Sequence, residues 1–420
     1  MRQASQAPVF QQPQPDWTQD QDFWEPEAHT QAPEGRKRAN ILATPIYLDY
    51  NATTPIAPEI FEAMRPFLTE HFGNPSSAHP YGTRAAEAVA QARGEVAALL
   101  GAHHDEIVFT GCATEANNIA LRGVARALRG KGRHLITAAT EHPAVLVPAE
   151  RLRSEGWEVT VLSVDRDGRV DPDALARAIR ADTVLVSIML ANNETGTVQP
   201  VAELARIAHV AGTLFHTDAA QAAGKMSVLV DELEVDLLTL AGHKFYAPKG
   251  VGALYVRRGT ALEPVLVGAG HERGLRPGTE NTPHLVALGA AARLARERLR
   301  DLPIRLRSLR DTLHDRLQQA IPGLQLNGHP QERLPNTLNV SFPDISGRDL
   351  LAACPNLAAS VGSACHEEGD TVSGVLAAMG CDARRARGAV RLSLGRDNDP
   401  VQIEAAAQAL IAGWTQLVRG

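Results

Sequence analysis

The chain has 420 residues, of which 44% are hydrophobic, and 42 basic against 48 acidic residues give it a formal net charge of −6. This length exceeds that of one typical hydrophobic core, so two domains are expected, and the apolar content is that of a globular protein. No basic run extends beyond residues 36–38, and no apolar run approaches the roughly 20 residues of a membrane span, so we expect neither nucleic acid nor a membrane as a partner.

Cysteine usage favours a reducing compartment. The chain has four cysteines, Cys112, Cys354, Cys365 and Cys381, and none of them belongs to a CxxC pair. Because so few and dispersed cysteines do not suggest a disulfide framework, we expect a cytoplasmic protein. A metal site built from Cys354, Cys365, Cys381 and His366 lacks the spacing of zinc motifs, so no metal is expected.

Residues 1–45 differ in composition from the rest of the chain. They are rich in Gln, Pro, Asp and Glu and contain few large apolar residues. Such a segment cannot bury enough apolar surface to fold, so we predict a disordered N-terminal extension. Its acidic residues disfavour a targeting peptide. A role in docking a partner stays open, but a passive tail is the simpler interpretation.

The pattern becomes that of a folded domain at residue 46. Helical spacing of apolar residues predicts helices over 58–71 and 83–100. Strands and helices then alternate, with strands over 106–110, 134–138, 157–163 and 183–190 and helices over 113–128, 145–154, 171–179 and 201–210. This alternation predicts an α/β fold with a mainly parallel central sheet and helices on both faces. Ligands of such sheets bind outside the carboxyl ends of the strands.

The pattern changes again after residue 270. We predict a long helix over 284–321, strands over 337–342 and 389–394, and a last helix over 403–418. Strands that no longer alternate regularly with helices predict a smaller α+β domain. The expected division is therefore a large domain over 46–283 and a small C-terminal domain over 284–420, packed with the segment 46–60.

The stretch 235–256, VDLLTLAGHKFYAPKGVGALYV, predicts two strands joined by a polar loop that carries Lys244 after Gly242 and His243. A lysine held beside another cation can have a lowered pKa and act as a nucleophilic amine, although most loop lysines are solvated or bind phosphate. Upstream, HTDAAQ places Asp218 at the end of a predicted strand. A Schiff-base lysine and an aspartate that pairs with a pyridinium nitrogen are the two protein groups that pyridoxal phosphate requires, so this spacing suggests that cofactor.

The motifs TDAAQ (217–221) and AGHKFYAPKG (241–250) resemble those of the NifS/IscS-type cysteine desulfurases, which are pyridoxal phosphate enzymes of the class V aminotransferase-like family. Further matches follow in the family's order: LDYNATTP (48–55), FGNPSSAH (72–79), TGCATEANN (110–118), TEHPAV (140–145), ANNETGTVQP (191–200), GHERGLRPGTENT (270–282), SVGSACH (360–366) and VRLSLGR (390–396). The resemblance covers the chain from about residue 48 to its end. It implies the fold type I of pyridoxal phosphate-dependent transferases.

The turn TGCATEAN carries Ala113 and Thr114 between a predicted strand and a helix. Backbone N–H groups at a helix start can bind a phosphate, whereas N-capping by Thr110 or Thr114 would need no ligand. The resemblance favours the phosphate, and it assigns further phosphate contacts to His243 and Thr279. In the family this threonine reaches the site of the second subunit, which implies a homodimer with shared active sites.

The resemblance also assigns the contacts of the cofactor ring. His142 stacks on the ring and assists proton transfer, Asp218 pairs with the ring nitrogen, and Asn193 and Gln221 contact the phenolic oxygen. From the residues alone the alternatives are a structural histidine at 142 and a simple turn residue at 193.

Two further residues concern the substrate. Cys365 follows small residues and precedes charged ones, which predicts an exposed loop where the thiol can ionise with help from His366. The resemblance makes Cys365 the nucleophile that accepts the sulfur. Arg391 lies in the otherwise apolar strand VRLSLGR and needs an anionic partner. That partner is the substrate carboxylate, bound together with Asn193, by resemblance, or an acidic residue at a domain interface.

The chain departs from the family's pattern at Ala241, where the family usually has a Ser or Thr that donates to the phosphate. Loss of one such donor costs about 1–2 kcal/mol of cofactor binding if nothing replaces it. Thr239 or water is a candidate replacement.

Together these residues predict a cysteine desulfurase that converts L-cysteine to L-alanine. A persulfide formed on Cys365 would pass to an acceptor or scaffold protein in iron–sulfur cluster or thio-cofactor assembly. Two alternatives stay open: a selenocysteine lyase of the same family, and a non-catalytic protein that binds a sulfur-transfer partner. The joint presence of five residues argues against the second: Lys244, Asp218, His142, Cys365 and Arg391.

Overall fold

The computed structural model of the protein describes residues 44–361 and 373–419. Most of the predicted extension and Cys365 lie outside these ranges. Up to the middle of the chain the elements are β1 (Ile46–Tyr47), α1 (Pro58–Met64), α2 (Pro66–Thr69), α3 (Pro80–Leu100), β2 (Ile107–Thr110), α4 (Ala113–Leu128), β3 (His134–Ala138), α5 (Pro143–Ser154), β4 (Glu158–Leu162), α6 (Pro172–Ala178), β5 (Thr183–Ser187), α7 (Val201–Val210), β6 (Leu214–Asp218), α8 (Val230–Leu233), β7 (Leu237–Ala241) and β8 (Gly252–Val256).

The second part of the chain is mostly helical. Its elements are α9 (Thr282–Arg298), α10 (Leu302–Ala320), β9 (Gln325–Leu326), β10 (Thr337–Ser341), α11 (Gly347–Ala352), β11 (Leu357–Ala358), α12 (Gly374–Ala378), α13 (Ala383–Arg387), β12 (Ala389–Ser393) and α14 (Pro400–Arg419). No helix within the described ranges is both long and apolar enough to cross a bilayer.

A seven-stranded sheet with the order β2-β8-β7-β6-β5-β3-β4 forms the centre of the molecule. The pairs between β7, β6, β5, β3 and β4 are all parallel, and β8 runs antiparallel to both of its neighbours. The strand–loop–strand prediction for 235–256 is therefore confirmed, and so is the mainly parallel sheet. Every residue of β2, β3, β5 and β7 is buried, which explains why these strands consist of nearly continuous apolar runs.

Helices cover both faces of this sheet. Alternate strand residues enter two different cores because side chains point to opposite faces along a strand. Leu135 and Val108 pack with residues of α4 and α5, whereas Ile136 and Phe109 pack with residues of α3, α7 and α9. The prediction of an α/β fold with helices on both faces is confirmed.

A separate core unites α10, β10, β12 and α14. Leu48 belongs to this second core and Ile46 pairs with Leu357 of β11, whereas Ile60 belongs to the first core. The prediction of one helix over 284–321 is wrong, because α9 ends at Arg298 in the first core and α10 begins at Leu302 in the second. Pro303 lies in the first turn of α10, where its ring prevents a continuous helix. We propose that the domain boundary lies at 299–301 rather than at 283.

Candidate active site

The polar motifs of the sequence lie at one edge of the central sheet. Strands β3, β5, β6 and β7 are parallel and β2 shares their direction, since both β2 and β7 are antiparallel to β8. The turns that follow these strands hold the motifs 110–118, 140–145, 191–200, 217–221 and 241–244. This is the edge at which ligands of parallel sheets bind.

Lys244 ends a short 3-10 turn, Gly242–Lys244, directly after β7. Its Nζ donates to the backbone carbonyl oxygens of Asn51 at 2.7 Å and of Ala52 at 2.8 Å. Burial, and then the positive charge of Arg391, lower the pKa of Lys244 to about 8, against the opposing effect of the carboxylates of Asp49 and Asp218. About a tenth of the amine is therefore unprotonated at pH 7, and this is the form in which a lysine acts as a nucleophile.

Asp218 is the last residue of β6 and is almost completely buried. Its Oδ2 accepts from Asn117 Nδ2 at 2.7 Å and its Oδ1 accepts from the backbone N–H of Ala220 at 2.9 Å. These donors hold the carboxylate in one orientation. Asn117, which lies in α4, was not singled out from the sequence.

The two histidines flank this pair of residues. His142 is the N-cap of α5, where its Nδ1 accepts from the backbone N–H of Ala144 at 3.0 Å. Desolvation by the cleft lowers the pKa of His142 although the residue as a whole is exposed, while Asp218 opposes and Lys244 reinforces this shift. Burial and then the charge of Lys244 lower the pKa of His243 to about 4. Both imidazoles are therefore neutral at physiological pH.

Ala113 and Thr114 form the first turn of α4. The N-cap residue, Cys112, makes no side-chain capping hydrogen bond, and Thr110 Oγ1 instead donates to the Cys112 carbonyl oxygen at 3.1 Å. The N-capping alternative for this motif is thus wrong, and the first N–H groups of α4 retain their capacity to bind an anion. A Cβ at Gly252 would lie 2.6 Å from the Leu240 carbonyl oxygen of β7 and 3.0 Å from the Cys112 carbonyl carbon, so only glycine lets β8 pack this closely against β7 and against this turn.

Asn51 connects this site to the second core. It is 1% exposed, and its Nδ2 donates to Thr337 Oγ1 at 2.9 Å and to the Asn193 carbonyl oxygen at 3.2 Å. Its Oδ1 accepts from Asn336 Nδ2 at 3.0 Å, and its own N–H donates to Ser393 Oγ at 2.9 Å. The segment that holds the Lys244 amine is thereby fixed to β10 and β12. Asn51 lies in the motif LDYNATTP, but its role could not be predicted from the sequence, since its partners are far away in the chain.

Gln221 contacts the same segment from the other side. Its Nε2 donates to the Asn51 carbonyl oxygen at 2.9 Å, and its Oε1 accepts from Lys225 Nζ at 3.0 Å. Lys225 is 6% exposed. It is a second buried lysine at the site, and no local pattern in the sequence distinguishes it from a surface lysine.

Arg391 is buried at the edge of the same cleft. Its Nη2 donates to Asp49 Oδ1 at 2.7 Å and its Nη1 donates to the Asn193 carbonyl oxygen at 3.1 Å. The alternative of an ion pair with an acidic residue is therefore realised in the structure, with Asp49 as that residue. Arg391 Nε is buried and has no partner within the described ranges, so one donor of the fork is still available to a carboxylate.

Thr279 does not join the other predicted residues in the cleft of this chain. Thr279 is exposed, and no hydrogen bond joins it to the other predicted residues in the described part of this chain. Cys365 lies outside the described residues. Of the other cysteines, Cys354 is buried, Cys381 is half-buried and Cys112 is exposed at the start of α4.

Ala241 ends β7 and is buried beside the Lys244 turn. Thr239, the suggested replacement donor, is fully buried and its Oγ1 lies 3.1 Å from His216 Nε2. This contact engages the hydroxyl inside the sheet. Thr239 therefore does not compensate for the missing hydroxyl at 241.

The cleft fits pyridoxal phosphate. The uncapped start of α4 suits a phosphate, the fixed carboxylate of Asp218 suits a pyridinium nitrogen, and Lys244 supplies an amine of lowered pKa. Asn117 Oδ1 and Arg391 Nε are buried here without a protein partner among the described residues. Buried polar atoms in native proteins are normally paired, so these two point to a ligand.

Comparison with known proteins agrees with this site. The aminotransferase class-V family profile matches residues 46–406. A cysteine desulfurase IscS of Dictyoglomus turgidum is 47% identical over 352 residues, which are 83% of this chain and 89% of that protein. A "cysteine desulfurase 2" of Trichormus variabilis is 47% identical over 87% of this chain and 92% of its own length.

Solved structures show the same relationship. A NifS-like protein superposes with a TM-score of 0.83 at 38% identity and covers 88% of this chain and 99% of its own. A structure described as SspA in complex with cysteine superposes with a TM-score of 0.74 at 37% identity and covers 83% of this chain and 98% of its own. The chain therefore belongs to the class-V aminotransferase family and, within it, to the cysteine desulfurases of the IscS/NifS type.

Proposed function

We propose that this chain is a pyridoxal phosphate-dependent cysteine desulfurase that converts L-cysteine to L-alanine and retains the sulfur as a persulfide on Cys365. The observation that carries the proposal is the meeting of Lys244, Asp218, His142 and Arg391 in one cleft of a chain from this family. When bound, pyridoxal phosphate supplies an electron sink for bonds at the α-carbon of an amino acid.

Each side chain then has a defined task. Lys244, whose pKa is lowered to about 8, has the free amine needed to bind the cofactor and later to take the proton from the substrate α-carbon. Asp218 keeps a proton on the ring nitrogen. Arg391 Nε, together with Asn193, binds the substrate carboxylate, while Asp49 fixes the guanidinium. His142, whose pKa is lowered by desolvation in the cleft, would assist proton transfer to and from the substrate.

Cys365 enters the proposal through its sequence and through the chain on either side of it. Ser360 exchanges backbone hydrogen bonds with Arg391, at 2.7 and 3.3 Å. Ser373 Oγ donates to the buried carboxylate of Glu194, which follows Asn193. The described residues on both sides of the segment 362–372 therefore contact residues of the cleft.

The test is the product and the site of the sulfur. Full-length protein incubated with L-cysteine should release alanine and gain one sulfur atom on Cys365, measured by mass spectrometry. Cys365→Ala should release no alanine, because the cysteine sulfur leaves poorly unless a thiolate attacks it. Turnover confined to selenocysteine, without a persulfide on Cys365, would instead identify a selenocysteine lyase. Neither product, with no borohydride-stable cofactor on Lys244, would identify a non-catalytic protein.

We further propose a homodimer in which Thr279 serves the partner's site. Thr279 is exposed in this chain, and the loop before it exposes Leu266 to 53% and Val267 to 87%. Within this loop Glu272 and Arg273 both have positive φ values, a costly conformation for non-glycine residues. Arg93 holds Glu272 there through two hydrogen bonds of 2.7 Å. Light scattering should report twice the mass of the chain, and a monomer would contradict the proposal.

A further inference from the structure

Lys225 is a buried lysine that the proposed chemistry does not use. Only five of the 42 basic residues of the chain are lysines, and two of the five, Lys225 and Lys244, lie at the same site. Arginine stays protonated in proteins, whereas a buried lysine can change its charge. Most basic residues of this chain are arginines, yet the site contains two lysines, whose amines can titrate.

Asn51 links the two amines. Lys244 Nζ donates to the backbone oxygen of Asn51 at 2.7 Å, and Lys225 Nζ lies 3.5 Å from its side-chain Oδ1. Lys225 Nζ also donates to Gln221 Oε1 at 3.0 Å, and this fixes the amide of Gln221 so that its Nε2 faces the Asn51 oxygen. Without Lys225, Gln221 Oε1 would have no partner and the amide could rotate.

The charged groups closest to Lys225 in the described part of the chain are positive. The charged groups that act on it are Lys244 and Arg391. The apolar cavity that it lines also contains Tyr50 and Tyr246, whose phenols are neutral because burial raises their pKa values, and two arginines, Arg298 and Arg396. Both arginines pair with Glu59. Within the ranges that the structure describes, no carboxylate contacts Lys225.

We propose that Lys225 is a positioning residue that holds Gln221 and Asn51 against the Lys244 amine and exchanges charge with it, so that Lys225 takes up a proton when Lys244 loses its own. This inference rests on the proposed function of Lys244 as the reacting amine. Burial and then the charge of Lys244 lower the pKa of Lys225 to about 7, which is consistent with such an exchange. The exchange keeps the total charge of the two lysines nearly constant when Lys244 loses its proton. It also keeps Lys225 protonated as the donor to Gln221.

Nuclear magnetic resonance of the full-length chain labelled with 13Cε-lysine tests the exchange, because five lysines give few and assignable signals. In the cofactor-free parent we expect midpoints near 8 for Lys244 and near 7 for Lys225. In Lys244→Met the Lys225 midpoint should rise by about one pH unit, a tenfold change in its protonation constant. Lys249→Met removes the same charge from an exposed position and should leave the Lys225 midpoint unchanged.

Reciprocity supplies a second, independent variant. Lys225→Arg carries a permanent charge, so it should lower the Lys244 midpoint by about the same one unit, because the interaction between two titrating groups is mutual. Lys225→Met should leave the Lys244 midpoint near 8 but lower kcat about tenfold, with a smaller change in KM, since it leaves Gln221 without its partner.

A Lys225 midpoint that is the same in the parent, in Lys244→Met and in Lys249→Met would overturn the exchange. An unaltered kcat in Lys225→Met would overturn the positioning role. The titrations of Lys225 and Lys244 by nuclear magnetic resonance use the cofactor-free chain, so they do not require the cofactor to bind Lys244. A chain that shows the coupled midpoints but no borohydride-stable cofactor on Lys244 would disprove the proposed function alone.

Discussion

Replacement of Lys244 by methionine should change the pH dependence of stability in a defined direction. The lowering of the Lys244 pKa from 10.5 to about 8 means that the folded state binds this proton less tightly than the unfolded state. Between these two pH values the unfolded chain holds about one proton more, so the free energy of unfolding of the parent rises with pH by about 1.4 kcal/mol per unit. The total gain is about 3 kcal/mol between pH 8 and pH 10.5, and the methionine variant lacks it.

The variant has an opposing cost. It leaves the carbonyl oxygens of Asn51 and Ala52 without the Lys244 donor, which costs about 1–3 kcal/mol in all. At pH 7 the parent carries the penalty for the buried Lys244 charge and the variant does not, so the variant is about as stable as the parent or more stable. At pH 10.5 this penalty has gone, the variant still lacks the two hydrogen bonds, and the parent is more stable. Loss of the Lys244 charge also removes the repulsion that acts on Lys225, and this further stabilises the variant at pH 7.

The assay is urea unfolding of the cofactor-free proteins at pH values from 7 to 10.5. Lys249→Met is the matched control, since it removes a lysine from an exposed position of the same loop. Its stability curve should run parallel to that of the parent, and that of Lys244→Met should diverge by about 3 kcal/mol. Parallel curves for all three proteins would show that Lys244 has an ordinary lysine pKa, and the electrostatic description of the site would be refuted.

Three further predictions concern the cofactor and the N-terminal segment. Asp218→Ala should lower turnover by about two orders of magnitude while cofactor affinity falls much less, because the ring nitrogen loses its proton-holding partner; turnover within a few-fold of the parent would refute the assignment. Ala241→Ser should tighten pyridoxal phosphate binding about tenfold in an equilibrium titration, since it restores a donor worth about 1–2 kcal/mol; an unchanged affinity would show that the phosphate does not approach residue 241. Removal of residues 1–45 should leave Tm and turnover with a small thiol acceptor nearly unchanged, and a large drop in Tm would show that they pack against the body of the protein.

The sequence by itself determined the type and order of most elements. Helix α4 and strand β3 have the predicted bounds, Ala113–Leu128 and His134–Ala138, because the period of apolar residues and the turns that end it are local properties. The strand pattern also placed Asp218 at the end of a strand and Lys244 in the loop that follows another strand. The break between α9 and α10 was missed, since the apolar spacing continues across it and only Pro303 marks the new helix.

Tertiary structure decided which side chains meet. Asn51 and Lys225 are 174 positions apart, and Arg391 and Asp49 are 342 positions apart, yet each pair is in contact at the site. No local pattern records such a contact, because the free energy of a buried hydrogen bond depends on which partner the fold brings to it. The same reason explains why the sequence could place an amine at Lys244 but not its pKa, which follows from burial and from the charge of Arg391.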